Sequence, residues 1–477
     1  MNIFKQIQKK SQFSNKKVLL DQKHLYSDLY LLTNEYYLFL KSNLAKGQVI
    51  SLVLPYSLDF IAIILVARLN KNVLCVLNPD NTNFEKSYIL NHSKYSMLIS
   101  DKKFSKNNKK FKNYFYKLKK NKFRLNNDDA FIVFTSGTTS KPKGAILTDE
   151  SLTNNIKGII KQLKFKTNDR TIIYSPPNYA MGISQVLTFV FLNCSFLLDN
   201  QGIKFTNVFL KKIKNYKITI LNLNVASFRY IKLFKKSFKL YNLRLVMGGG
   251  MKMTSDDAKE IFNFFGNKYI VNFYGCTENS PRISHFLFTK KNLKKFKSNE
   301  MLPVGKSLIG TKVFLSKINN EVRNLFEINL KGKSLMRCYL NDNLKKISSY
   351  KTGDVGFFSK NKNLFVIGRL DNIFKSGNEK ISPEEIENKI KPYLKKRTFV
   401  IIKKKHKILN WQPALVIEGQ RLLSDKYLNK KFEKNLSNFK IPKEINYLKK
   451  IFRNTYGKID RNKIFNHFSN YDNYEKN

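Results

Sequence analysis

Between about residues 25 and 200 the chain alternates segments of helical pattern with short apolar runs, VISLVLP, NVLCVL, SMLIS, FIVF and SFLLD. Strands separated by helices return to a sheet through crossover connections, which predicts a largely parallel sheet covered by helices. A second set, ITILNLN, LRLVM and YIVNFY, repeats the theme from 218 to 274. From about 304 to 367 the pattern shifts to short strands with turn signals, TKVFLSKI, FEINL, DVGFFS and NLFVIG. From about 369 a helix start at SPEEIENKI and strands at TFVIIKK and ALVIEG form a further α+β segment. In that helix Ser382 is the expected N-cap and Pro383 the first helical residue, with Glu384 and Glu385 in the positively polarised first turn. The expected fold is α/β, with a large N-terminal domain over residues 1–368 of mostly parallel sheets and helices, including a β-rich subdomain at about 304–367. A small α+β C-terminal domain covers 369–477.

A length of 477 residues exceeds one ordinary core, and 42% hydrophobic with 26% charged residues describes a globular chain. The formal charge of +54 invites comparison with nucleic-acid binders. Lysine is spread along almost the whole length beside Asn, Ile, Phe and Tyr, which describes a compositional bias, so no nucleic-acid partner is expected. The densest basic run, Lys102 to Lys122, reads as a solvated surface connection. Cys75, Cys194, Cys276 and Cys338 are far apart and form no CxxC pair, which favours buried thiols in a reducing compartment. The N-terminus lacks a secretory pattern, and the longest apolar stretches fall short of the ~20 residues that span a bilayer. A cytoplasmic protein without a membrane span is expected.

The segment with the most specific chemistry is FIVFTSGTTSKPKGAILTDESL, residues 131 to 152. It reads as a strand, then a loop dense in Gly, Ser and Thr, then a helix whose start is marked by Thr148 and Asp149. Gly137 lets backbone N–H groups turn toward a phosphate, and the hydroxyls of Thr135, Ser136, Thr138 and Thr139 can donate to it. Lys143 can neutralise its charge. The glycine and lysine spacing differs from the GxxxxGK[ST] loop, so this is a polyphosphate cradle of another kind.

Together with other segments, this loop resembles the adenylate-forming superfamily of acyl-CoA synthetases, aryl- and aminoacyl-adenylating domains and luciferases. NFYGCTENSPRIS (272–284), YKTGDVGFF (350–358), GRLDNIFKSGNEKISPEEIE (368–387) and NTYGKIDR (454–461) are similar to that family's segments in order and spacing. The resemblance covers roughly residues 25 to 465. It implies ATP and Mg²⁺ as cofactors and formation of an acyl-AMP from a carboxylic acid. Tyr274 would stack on adenine, with Gly248, Gly249 and Gly250 packing closely on the other side. Thr277 would contact the α-phosphate and Glu278 would hold Mg²⁺. Asp354 would accept hydrogen bonds from the ribose hydroxyls, and Arg369 would contact the ribose and phosphate region. Lys458 would stabilise the charge that builds up when a carboxylate attacks the α-phosphorus. Asp371 matches the hinge of a mobile C-terminal domain, and Lys380 a basic position near the phosphate. Departures at Asn378, Cys338 and Phe452 remove no reacting group.

The same resemblance puts the acyl pocket at YSPPNYAMGISQVL, 174 to 187, with Asn178, Tyr179 and Gly182 as its residues. No Asp is present there to pair an α-ammonium group, which weighs against an amino-acid substrate. The implied reaction transfers the acyl group to a thiol, most readily coenzyme A. The alternative is an aryl or other small acid destined for a carrier-protein thiol. A rival of another class is a basic nucleic-acid-binding or scaffold protein that kept the fold and lost catalysis. Loss of Lys458, Glu278 or Asp354 would favour that rival, and all three are present.

Overall fold

The computed structural model describes residues 3–102, 109–110, 114–117, 122–135, 142–318, 326–376, 379–394, 397–406, 409–421, 424–433, 435–453 and 459–474. The chain divides into two compact units. The first comprises Met1–Phe314, Asn329–Tyr350 and Phe358–Phe365, and the second Leu315–Ile328, Lys351–Phe357 and Val366–Asn477.

Two seven-stranded sheets build the first unit. One contains β1 (Val49–Val53), β2 (Val73–Val76), β3 (Met97–Ser100), β4 (Lys109–Lys110), β5 (Tyr114–Lys117), β6 (Asp129–Thr135) and β7 (Lys143–Thr148), in the order β4-β5-β3-β1-β2-β6-β7. Its centre, β3-β1-β2-β6, is parallel and its outer pairs are antiparallel. The other contains β8 (Thr171–Ile173), β9 (Phe196–Leu198), β10 (Ile220–Asn222), β11 (Leu245–Gly249), β12 (Tyr269–Gly275), β13 (Arg282–Phe288) and β14 (Lys306–Ser307), in the order β14-β13-β12-β11-β10-β8-β9. It is parallel from β9 to β12 and antiparallel across β13 and β14. The apolar runs IAIILVA and QVLTFVF supply the helices Leu58–Leu69 and Ala180–Phe191, buried on nearly every face. Among the described residues no helix is long and apolar enough to cross a membrane.

Two local expectations change. The phosphate-type loop leads into strand β7, antiparallel to β6, before the helix Asp149–Gln162 begins. KGAILT alternates poorly, and its pairing with FIVF, Ile132 opposite Ile146, decides its state. The helix then starts where Thr148 and Asp149 indicate, with the Thr148 hydroxyl accepting from the Ser151 N–H at 3.1 Å. Fully buried Arg68 forks onto Asp149 through two bonds of 2.9 Å, tying this helix start to Leu58–Leu69. In the basic stretch from Lys102 to Lys122, Tyr114–Lys117 pairs with β3 and Phe115 is buried. That stretch is therefore in part an edge strand and not wholly a solvated connection.

The predicted β-rich strands are β15 (Thr311–Lys317), β16 (Phe326–Gly332), β17 (Tyr350–Phe358) and β18 (Leu364–Arg369), placed where the chain passes repeatedly between the units. The second unit continues with β19 (Phe374–Ser376), β20 (Glu379–Ile381), β21 (Phe399–His406), β22 (Asn410–Glu418) and β23 (Glu444–Leu448). The last three form a sheet against which Ile386 and Ile390 of the helix Pro383–Ile390 pack. Ser382 caps that helix by accepting from the Glu385 N–H, with Pro383 in its first turn.

Candidate active site

In the first unit, Thr135 ends β6 and Lys143 starts β7, directly opposite each other in the ladder. The loop ends are thus held together, while Ser136, Gly137, Thr138 and Thr139 lie outside the described residues. The exposed Lys143 ammonium stands 5.5 Å from the centre of the Tyr339 ring. The Tyr339 hydroxyl donates to Glu278 Oε1 at 2.7 Å and lies 3.1 Å from the Tyr350 hydroxyl. Burial pushes the Tyr339 phenol well above its usual value, and the Glu278 charge pushes it further, so it stays a donor. Glu278 is itself buried, in the short turn Thr277–Asn279 that follows β12. Tyr274, near the end of β12, is buried as well.

This arrangement fits a magnesium nucleotide. One Glu278 oxygen accepts from a hydroxyl, and a hard cation prefers carboxylate oxygens. Among the described residues no group of three or more His, Cys, Asp or Glu side chains could hold a metal ion. An ion at Glu278 would therefore take most of its ligands from phosphate and water, as Mg²⁺ commonly does.

The three glycines do different things. A Cβ at Gly249 would lie 2.3 Å from the Phe273 ring, so this glycine serves internal packing. A Cβ at Gly248 would meet the Met253 methyl at 2.6 Å. Gly250 has φ +77° and nothing within 4 Å of the position a Cβ would take, so it is the one with open space for a ligand.

The second unit carries Asp354, Arg369 and Asp371. The Arg369 guanidinium donates to Asp354 Oδ1 and to Asp371 Oδ2, each at 3.1 Å, and to the Thr352 carbonyl at 2.7 Å. Burial works against the charge of Arg369, and the two carboxylates more than offset it, holding its pKa above the usual guanidinium value. Gly353, at φ +68°, leaves room for that side chain, since a Cβ would lie 2.8 Å from Arg369 Nη2. Lys458 lies outside the described residues, as does Asn378, and only the backbone of Lys380 is described. The segment around Lys458 has fixed ends: Arg453 and Ile459 form an antiparallel bridge. Arg461 then forks onto Glu387 at 2.7 and 2.9 Å.

In the acyl region, Tyr179 precedes the helix Ala180–Phe191. Asn178 has a buried Oδ1 without a partner among the described residues. Gly182 accommodates Tyr56, whose hydroxyl would be 2.5 Å from a Cβ there and donates to the Ser175 carbonyl at 2.6 Å. A small cavity of about 10 Å³ lies between that helix and β8, β10, β11 and β13, bordered by Ser184, Gln185, Thr188, Asn222 and Arg282. Sequence reasoning missed Arg282, Tyr339 and Arg461. The first had one signal, a cation opening the otherwise buried run RIS at the start of β13.

A two-sheet α/β unit with a buried carboxylate near Lys143 at the paired ends of β6 and β7, together with a smaller α+β unit, agrees with a nucleotide-using enzyme of the adenylate-forming class. The family model described as AMP-binding enzyme matches residues 7–340, and the chain belongs to that family. The 2-succinylbenzoate–CoA ligase of Listeria monocytogenes is 27% identical over 345 residues, covering 70% of this chain and 69% of that protein. The D-alanine–D-alanyl carrier protein ligase of Bacillus cytotoxicus is 25% identical over 360 residues, covering 71% and 70%. Among solved structures, o-succinylbenzoate CoA synthetase of Bacillus subtilis with its acyl-adenylate intermediate superposes with a TM-score of 0.80 at 20% identity, covering 97% and 98% of the two chains. ATP-bound MatB from Rhodopseudomonas palustris gives 0.82 at 17% identity, covering 98% and 99%. At these identities the structures establish the shared fold.

Proposed function

We propose that the protein is an AMP-forming acid–thiol ligase, which activates a carboxylic acid as acyl-AMP with release of pyrophosphate and then passes the acyl group to a thiol, most readily coenzyme A. The observation that carries this reading is the Lys143–Tyr339–Glu278 arrangement, which brings a cation, a neutral donor and a buried carboxylate together at the start of β7. Mg²⁺, when bound, supplies charge neutralisation at the phosphates. Tyr339 fixes the Glu278 carboxylate through its 2.7 Å bond, so that the free oxygen is already oriented. Tyr274 and the open side of Gly250 border the base, and Asp354 offers the ribose a carboxylate that Arg369 holds in place. The proposed domain boundary lies near residue 369, with Asp371 as the hinge and Lys458 acting in the first half-reaction.

One relative named above ligates its acid to coenzyme A and the other to a carrier protein, which supports a thiol acceptor of either kind here. Four free cysteines, three of them buried, support action in the reducing cytoplasm. The even spread of lysine supports a protein with no nucleic-acid partner. ATP–pyrophosphate exchange across a panel of carboxylic acids, followed by addition of coenzyme A, tests the proposal. Acid-dependent exchange and a thioester product are expected; exchange with no acid in the panel would overturn it.

A further inference from the structure

Arg282 is 3% exposed, and among the described residues no carboxylate forms an ion pair with it. Among the described residues its Nη1 and Nη2 reach the thioether sulfurs of Met247 and Met181, both at 3.8 Å, and its Nε finds no partner. The guanidinium carbon lies 3.8 Å from the centre of the Phe273 ring. A thioether is a weak acceptor and a ring face only partly replaces hydration, so a charge of this kind is costly without an anion. Burial lowers the Arg282 pKa to about 9. Burial and, after it, the Arg282 charge hold nearby His285 down at about 4, so that imidazole is neutral near pH 7 and adds no second positive charge.

The main chain at Arg282 is nevertheless rigidly fixed. Its carbonyl accepts from Asn155 Nδ2 at 2.7 Å and from Asn279 Nδ2 at 2.8 Å, and its N–H donates to Asn155 Oδ1 at 3.3 Å. Strand pairing sets Arg282 opposite Gly275, two residues before Thr277. The side chain borders the cavity together with Asn222, Gln185 and Thr188 and the apolar Ile159, Phe165, Phe189 and Met247, and among the described residues no acidic side chain lines that space. At about 10 Å³ the cavity holds no more than a water, so an entering group has to displace side chains there; the fixed, buried cation on its wall, beside the 272–284 segment, is placed to pair with an anion that does so.

We infer that the acid activated by this enzyme carries a second anionic group, a dicarboxylic acid in the simplest case, and that Arg282 pairs with the carboxylate that does not react. This rests on the acid-activating reading of the site and narrows its substrate class. It makes Arg282 a specificity residue.

The test uses the full chain and matched pairs: succinate with butyrate, glutarate with valerate, phthalate with benzoate. Exchange kinetics on the wild type should favour the diacid of at least one pair by about 10²-fold in kcat/KM, the scale of a buried charge pair losing one partner. Arg282→Met should remove that preference, leaving monoacid exchange within a few-fold. Thermal stabilisation by the same acids without ATP supplies a second readout, in which a diacid raises the wild-type Tm and a monoacid does not. Equal or better use of the monoacids by the wild type would overturn the inference while leaving acid activation intact. If no acid supports exchange, acid activation fails, and the thermal comparison alone then decides whether Arg282 receives a dicarboxylate. Absence of diacid stabilisation in that case would overturn the inference too.

Discussion

Arg282 and Arg369 meet opposite electrostatic surroundings. Arg369 is held between two carboxylates and a carbonyl, and its charge is stabilised by its own unit. Arg282 is nearly inaccessible and has two sulfurs and a ring face instead. A cation compensated from within can serve as a strut, here fixing the Asp354 carboxylate. An uncompensated one stores an electrostatic demand that a ligand can meet. The difference teaches which charges in an adenylating enzyme belong to the scaffold and which to the substrate.

The largest effect is expected for a cation that serves the transition state. Lys458→Ala should lower acid-dependent pyrophosphate exchange by roughly two to three orders of magnitude, as for one positioned charge. Thioester formation from a supplied acyl-adenylate should fall much less. Equal loss in both half-reactions would make Lys458 structural and would leave the site without its expected reactive cation.

A smaller effect concerns stability around Arg282. His285 has a folded value of about 4 against the usual 6.5, so the folded state binds fewer protons than the unfolded one. The depressed value means that stability is fully present above about pH 6.5 and is lost as pH falls toward 4. The loss should reach roughly 2 kcal/mol by pH 5. His285→Gln should flatten that part of the profile in denaturant titrations between pH 7 and 5. An unchanged slope would show that neither burial nor the Arg282 charge depresses His285.

The smallest effect is at the compensated arginine. Arg369→Met should raise the apparent KM for ATP about tenfold, a loss near 1.4 kcal/mol, because Asp354 loses its orienting partner while remaining in place. A collapse in kcat comparable to that of Lys458→Ala would make Arg369 a reacting-centre residue and blur its contrast with Arg282.

Much of the fold was legible because apolar runs of strand length report burial directly. The runs from VISLVLP to YIVNFY all became sheet strands, and Ser382 and Thr148 capped their helices as their side chains suggest. Strand β7 was hidden because KGAILT has little pattern of its own and depends on its partner β6. The site was legible where a motif is contiguous, as at Tyr274 to Glu278. Tyr339 and Arg282 were not, since their roles come from contacts 61 residues away in one case and from a missing partner in the other. Local sequence carries no record of an absent counter-charge. Nor does it distinguish Gly249, needed by the Phe273 ring, from Gly250, which faces open space.

One measurement bears most directly on acid activation with substrate charge read by Arg282. The wild-type enzyme is mixed with Mg·ATP and glutarate or valerate, quenched before and after addition of coenzyme A, and its nucleotides and thioesters are identified by mass spectrometry. Glutaryl-AMP should accumulate before the thiol is added and give way to glutaryl-CoA and AMP afterwards, with little product from valerate. Formation of ADP, or no adenylate from either acid, would contradict the proposed chemistry; valeryl-AMP in equal yield would contradict the role of Arg282.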